Sequence, residues 1–419
     1  MSFKKILISP IGPLIFPLFL FIIAFIIPPN IYEYYINEKD YIFLNINVLL
    51  YILIVIFFYW IGVYVSNFKI NNKYTYITSL RNKGKINFLF IVVLLVLGIE
   101  LIYIFVLNQY YKAYLGNSMF LILLSGVGDI IKQSGTPTLP YHLNAVPRLF
   151  PAIMFWLLYE VYSPLYKNSF LTWQIKKLIF FESFLLAVIL LISSDRTMFS
   201  ILFLGWICIY MYYNPKKSFK TLLYIFLVVV AMFILTSLLR WSLTTGNDIS
   251  FLLISKFMGY TLANYNRLAL ILTGELNYHL PEGFYLFPIM NIPLLNIFPY
   301  EKLKDFTDFA DITLSAVNNT GLNAHYNQCT LFGGMFQELG IATPLYFFFL
   351  GIIGNRLFHS FKKGSLIGIV MYPLFWASVA LWSSDINIFV YNIIYFIMAL
   401  FLINAFIFTL RIITKGQKH

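Results

Sequence analysis

Four of the chain's seven arginines stand where a charge is costly. Arg148, Arg196 and Arg240 flank long apolar runs, and Arg267 interrupts the apolar stretch 249–273. A guanidinium is a planar fork of donors matched to phosphate and carboxylate. Charge at or inside a membrane is expensive, and Lys would suffice for mere anchoring, so these positions are candidates for holding an anion. The plainer alternative for each is a side chain that snorkels to the interface or pairs with an acid such as Asp195. Arg196 belongs to Ser193-Ser194-Asp195-Arg196-Thr197, squeezed between the runs 178–194 and 197–213, so a tight hairpin must carry it. Lys256 and Arg267 are eleven residues apart. That is near three helical turns, which puts both on one face of a helix.

Two groups could move a proton. Glu338 falls inside the run 331–354, about two turns from its start by helical pitch. A carboxylate there could deprotonate a hydroxyl or partner an arginine. His325 lies in the polar stretch Asn318–Asn327 at the mouth of the same run. Imidazole titrates near neutral pH, although a lone histidine also has a structural reading. Glu100, inside 86–107, has no polar neighbourhood and ranks lower. Asp305, Asp308 and Asp311 read as a solvated acidic helix face rather than a cation site. Gly126-Val127-Gly128 lacks the Lys-Ser/Thr of a nucleotide loop. Nothing in the sequence asks for a metal or a cofactor.

The elements that must position these groups follow from composition. Hydrophobic residues make up 60% of the 419 and charged residues only 11%, with a net charge of +12. Soluble domains average about 45–50% apolar and about 25% charged. A soluble enzyme, a disordered chain and a disulfide scaffold are therefore excluded, and Cys208 and Cys329 make no framework. Apolar runs occur at 11–29, 43–65, 86–107, 146–163, 178–194, 197–213, 221–240, 331–354, 365–382 and 387–409. A spanning helix needs roughly 20 residues. These runs predict an all-α polytopic membrane protein with about 10–12 transmembrane helices. The stretches 113–131 and 249–273 are interrupted by polar residues and predict re-entrant, interfacial or buried helices. The first run, ending in Pro28-Pro29 without a cleavage motif, reads as an uncleaved span. Residues 1–419 form a single membrane domain, without repeats, and 241–330 forms its large extracytoplasmic loop.

Orientation follows from the basic residues. With the N-terminus in the cytoplasm, the inner segments hold Lys4, Lys5, Lys69, Lys73, Arg81, Lys83, Lys85, Lys167, Lys176, Lys177, Lys216, Lys217, Lys220, Arg356, Lys362, Lys363, Arg411, Lys415 and Lys418. The same segments contain no Asp or Glu. Both termini are then cytoplasmic, and most of the positive charge is a topology signal, which removes the argument for nucleic acid. The four arginines lie on the outer side, where together they would suit a lipid-linked pyrophosphate.

An outer Ser-x-x-Arg-Thr between two short spans resembles the Wzy-type oligosaccharide repeat-unit polymerases of O-antigen and capsule synthesis. So does a long outer loop carrying Arg, Asn and Tyr. So does a span opening Phe332-Gly333-Gly334-Met335-Phe336-Gln337-Glu338-Leu339-Gly340. The resemblance implies a C-type glycosyltransferase-like fold in the bacterial cytoplasmic membrane. It implies polymerisation of undecaprenyl-diphosphate-linked oligosaccharides at the outer face, using no nucleotide sugar or metal, with a chain-length regulator as a partner beside the membrane lipids. The Arg of the motif carries over onto Arg196. Arg240, Arg267 and Arg148 would join it on pyrophosphate, and Glu338 or His325 would be the base. An O-antigen ligase shares this layout. A flippase of the same lipid-linked units is a further alternative, although it would show repeats and charges along a central cavity.

Overall fold

A computed structural model of the chain describes residues 3–38, 44–66, 83–116, 118, 141–163, 170–192, 196–214, 249–279, 306–323, 326, 328–383 and 387–416. Among these there is no strand. The α-helices are α1 (Phe3–Ile8), α2 (Ile15–Ile26), α3 (Pro29–Ile36), α4 (Ile46–Ser66), α5 (Lys83–Leu115), α6 (Tyr141–Tyr162), α7 (Phe170–Ile192), α8 (Arg196–Tyr213), α9 (Ile249–Thr261), α10 (Ala263–Thr273), α11 (Phe306–Asn319), α12 (Leu331–Leu339), α13 (Thr343–Lys362), α14 (Leu366–Ala380) and α15 (Ile388–Gly416). Nine of the ten apolar runs coincide with helices; the tenth, 221–240, lies outside the described residues.

Among the described residues, four stretches are long and apolar enough to cross a membrane: Ile46–Ser66, Leu89–Ala113, Leu331–Lys362 and Ile388–Thr409. A fifth is reached if Gly12–Ile26 and Pro29–Ile36, bent by 106°, count as one. The ten to twelve predicted were counted over the whole chain, of which the run 221–240 lies outside the described residues. The other runs are helical but shorter or more polar: α14 has 15 residues, α7 carries Lys176, Lys177 and Glu182, and α6 carries Arg148 and Glu160. The bend between α2 and α3 has a local cause. Pro28 is extended and Pro29 opens α3 at a position where proline's missing N–H is harmless.

The chain forms two compact units, one of residues 1–72, 246–356 and 378–391, the other of 73–245, 357–377 and 392–419. In the first unit the Asn45 side chain caps α4, accepting from the backbone N–H of Asn47 and Val48. One stripe of α4 (Val48, Ile52, Val55, Tyr59, Gly62) is buried, while Leu50, Leu53, Phe57 and Trp60 are exposed. An apolar helix with an exposed apolar face suits lipid on that side.

Glycines let α4 and α13 touch backbone to backbone. A Cβ on Gly62 would meet the Phe348 carbonyl oxygen at 2.0 Å, and one on Gly351 would meet the Tyr59 carbonyl oxygen at 2.2 Å. Neither backbone can yield cheaply. Gly62→Ala should therefore cost about 1–3 kcal/mol, as overpacking does. Thermal unfolding in detergent would show it as a lowered midpoint.

The stretch 331–362 meets the length and composition of a span but is not one rod. Gly340, at φ +52°, breaks it. The Thr343 hydroxyl donates to the Met335 carbonyl at 3.1 Å, and the Phe332 and Phe347 rings stack at 5.5 Å. Fifteen residues of straight helix would separate those rings by about 22 Å, so α12 folds back along α13. The apex of this hairpin is Ile341, 94% exposed. The start of α12 is buried, with the Leu331 N–H donating to the Trp382 carbonyl and Thr330 capping Gly333.

In the second unit α5 packs along α7, α6 along α7 and α8, and α7 along α8. Residues 193–195, where the tight hairpin around Arg196 is predicted, lie between α7 and α8 and outside the described residues. Cys208 and Cys329 are both buried, and neither is in a disulfide.

Candidate functional site

The described part of residues 241–330 is built around a helix. Residues 249–273 form two helices, α9 and α10, broken at Leu262. Every residue of α10 from Ala263 to Ile271 is buried, including Asn264, Asn266 and Arg267. A buried polar group must be hydrogen-bonded, and the partners come from distant segments. The Asn264 amide donates to the Ser383 carbonyl at 2.9 Å, and the Tyr265 hydroxyl to the Pro17 carbonyl at 2.6 Å. This helix is therefore the organiser of the first unit.

Arg267 is its centre. The side chain is 0% exposed and meets Glu38, also 0% exposed, in an ion pair at 2.5 Å. Its Nε donates to the Tyr326 carbonyl at 2.6 Å. One terminal nitrogen donates to Glu38 Oε2 and to the Ala263 carbonyl, the other to Glu38 Oε1 and to the Asn323 carbonyl. All five N–H donors of a guanidinium are thus used. Burial opposes the charge, yet the Glu38 carboxylate and the Tyr32 hydroxyl outweigh it and hold the guanidinium above its usual pKa.

Glu38 is equally engaged. It accepts from the Tyr32 hydroxyl at 2.7 Å and from the Asn323 N–H at 3.0 Å. The Asn323 amide donates to the Ile36 carbonyl at 2.7 Å. Asn37, in the left-handed region at φ 60°, ends α3 and turns the chain so that Glu38 points inward. Nearby, the Ser255 and Tyr326 hydroxyls lie 3.0 Å apart. The knot thus ties the end of α3, the α9–α10 pair and the turn 323–326 into one body.

Arg267, expected on pyrophosphate, has no exposed surface and no spare donor in this structure. It is a positioning residue that holds the carbonyls of Asn323 and Tyr326. His325 lies between those two in the sequence and is itself outside the described residues, as is Arg240. Asn323 and Tyr326 belong to the polar stretch Asn318–Asn327 singled out in the sequence, whereas Glu38 and Tyr32 were not expected beside it. Nothing local in the sequence links Glu38 to a partner 229 residues away.

Glu338 sits in the last turn of α12, half-buried, beside the Gly340 break and not two turns inside a continuous span. Its neighbour Gln337 donates to the Leu276 carbonyl at 3.3 Å. Phe336 packs on a buried cluster of Leu270, Ile271, Leu276, Tyr278, Val317, Leu322 and Cys329. Through that cluster the end of α12 is held against α10, one turn from Arg267. The first unit therefore brings the half-buried carboxylate, the clamped turn and α10 into one region.

The other two arginines belong to the second unit. Arg148, half-buried on α6, lies over the Tyr395 ring at 5.4 Å from its centre and donates to the Tyr395 hydroxyl at 3.4 Å. Arg196 is the first residue of α8. Among the described residues, no group of three or more His, Cys, Asp or Glu side chains is gathered to hold a metal. No protein-family model, curated protein or solved structure matches this chain.

Proposed function

We propose that this protein polymerises undecaprenyl-diphosphate-linked oligosaccharide units into a surface polysaccharide at the outer face of the bacterial cytoplasmic membrane. The observation that carries the reading is the buried knot around Arg267. It holds the carbonyls of Asn323 and Tyr326 and lies one cluster away from Glu338, so a half-buried, proton-accepting carboxylate is presented by a tightly packed frame. Positioning of that kind is what a transfer between two bound substrates needs.

The chemistry is a substitution at the anomeric carbon of the donor. Glu338 or His325 takes the proton of the acceptor hydroxyl, the new glycosidic bond forms, and the lipid diphosphate leaves. The leaving group already carries its charge, so preorganised arginines do the work of stabilising it. Arg196 leads that set, with Arg240 and Arg148 beside it. Neither a metal nor a nucleotide sugar takes part.

Deleting the gene in its own host tests the reading. The expected strain carries single oligosaccharide units on the lipid carrier, exposed outside, and no long chains. Units trapped on the cytoplasmic side would point to a flippase. Long chains that remain on the carrier and fail to reach their final acceptor would point to a ligase.

A further inference from the structure

Two acids of the second unit have no part in that chemistry. Glu100 lies at mid-length of the apolar stretch Leu89–Ala113 of α5, and Glu182 at mid-length of α7. Both are 0% exposed. None of their four carboxyl oxygens has a hydrogen-bond partner.

Their places are set by the packing seam. On α5 the buried stripe runs Leu89, Val93, Val96, Glu100, Tyr103, Leu107, and on α7 it runs Ile175, Ile179, Glu182, Leu186, Ile189. Spacings of three and four are those of helices packed along one another. In both stripes a carboxyl stands where the sequence otherwise places apolar residues, apart from Tyr103. The two seams face each other, since α5 and α7 pack together. The Glu182 carboxyl approaches the backbone of Leu97, one turn before Glu100, and the two carboxyls act on one another electrostatically.

No compensating charge is at hand. Lys83 and Lys85 begin α5, and Lys112 near its end is exposed. Lys176 and Lys177 of α7 are exposed, the second lying over Trp173. On α6, His142 and Arg148 lie near the start and Glu160 near the end, and Arg148 is engaged with Tyr395. On α8, Arg196 is the first residue, while Cys208, Tyr210, Tyr212 and Tyr213 fall in the second half. Among the described residues, Glu182 is the one charged group acting on Glu100.

Two adjacent carboxylates in such a place cannot both ionise, and even one is costly without a partner. A proton resolves both problems. It removes a charge and turns one oxygen from acceptor to donor. We propose that Glu100 and Glu182 form a proton-binding pair in the middle of the membrane, holding at least one proton at neutral pH between α5 and α7. The proposal goes beyond the polymerase reading and does not depend on it. Protonatable carboxyls at membrane depth mark proton pathways and switches, so this unit carries the means for protonation to alter how two helices pack.

Infrared spectroscopy of the intact protein in liposomes at neutral pH tests it. The expected spectrum contains the carbonyl stretch of a protonated carboxylic acid, insensitive to sodium. Glu100→Gln and Glu182→Gln should each weaken the band, and the double variant should lose it. Glutamine mimics the neutral acid, so these variants should fold with near-normal stability. A native protein without the band overturns the proposal, with no variant needed. A band erased by sodium overturns it too, because a metal cation would then be the occupant. A band unchanged in both single variants assigns the proton elsewhere and also overturns it.

Discussion

Arg267→Met should destabilise the protein by about 3–5 kcal/mol, the cost of leaving a buried carboxylate unpaired. Glu38 would keep its charge and its bonds to Tyr32 and Asn323, with the guanidinium gone from the other side. Glu38→Leu alone should cost a similar amount, since it strands the buried guanidinium. The double variant is expected to recover most of the loss, because replacing a buried ion pair with apolar residues of similar volume is often neutral or stabilising. Thermal unfolding of all four proteins in detergent gives the cycle, and the coupling should exceed the 0.5–3 kcal/mol typical of neighbouring residues (about that range). Full stability in Arg267→Met, with activity lost, would return this arginine to the role of an anion ligand. A double variant as poor as the sum of its singles would deny the pairing.

Glu338→Gln should lower the rate of polymer formation by about 10²–10⁴-fold, the usual contribution of a general base. Its stability should stay within about 0.5 kcal/mol of the native protein, because the side chain is half-buried at a helix end and not sealed in the core. The amide keeps the shape and removes the capacity to take a proton. Polymer yield from cells and the unfolding midpoint, measured side by side, separate chemistry from folding. Native activity in Glu338→Gln would leave His325 as the base. Comparable losses in rate and in stability would make Glu338 a structural residue.

The helices were legible in the sequence and their companions were not. Long apolar runs gave α4 to within three residues at each end, and α5 and α15 except for their last two turns, because lipid and helix geometry leave few alternatives for such a run. Pro28-Pro29 marked the end of α2 for the same local reason. The hairpin at Gly340 escaped, since Leu339-Gly340-Ile341 is apolar on both sides and hydropathy cannot see a reversal of direction. The Asp195-type partner imagined for an arginine turned out, for Arg267, to be Glu38, which lies in a different segment altogether. Ion pairs across 229 residues leave no periodic signal. Glu100 was visible but undervalued, because its significance rests on Glu182, and only the packing of α5 on α7 brings the two together.

The two units divide the expected arginines between them. Arg267 and Glu338 belong to the first, Arg148 and Arg196 to the second. The proposed reaction asks for a positioned base and a stabilised leaving group.

The most direct measurement is the reaction itself. Purified protein in vesicles, given only undecaprenyl-diphosphate-linked oligosaccharide units and a chelator, should yield a ladder of products that differ by one repeat unit and release undecaprenyl diphosphate at each step. Units that remain single while the native protein is folded would contradict the account.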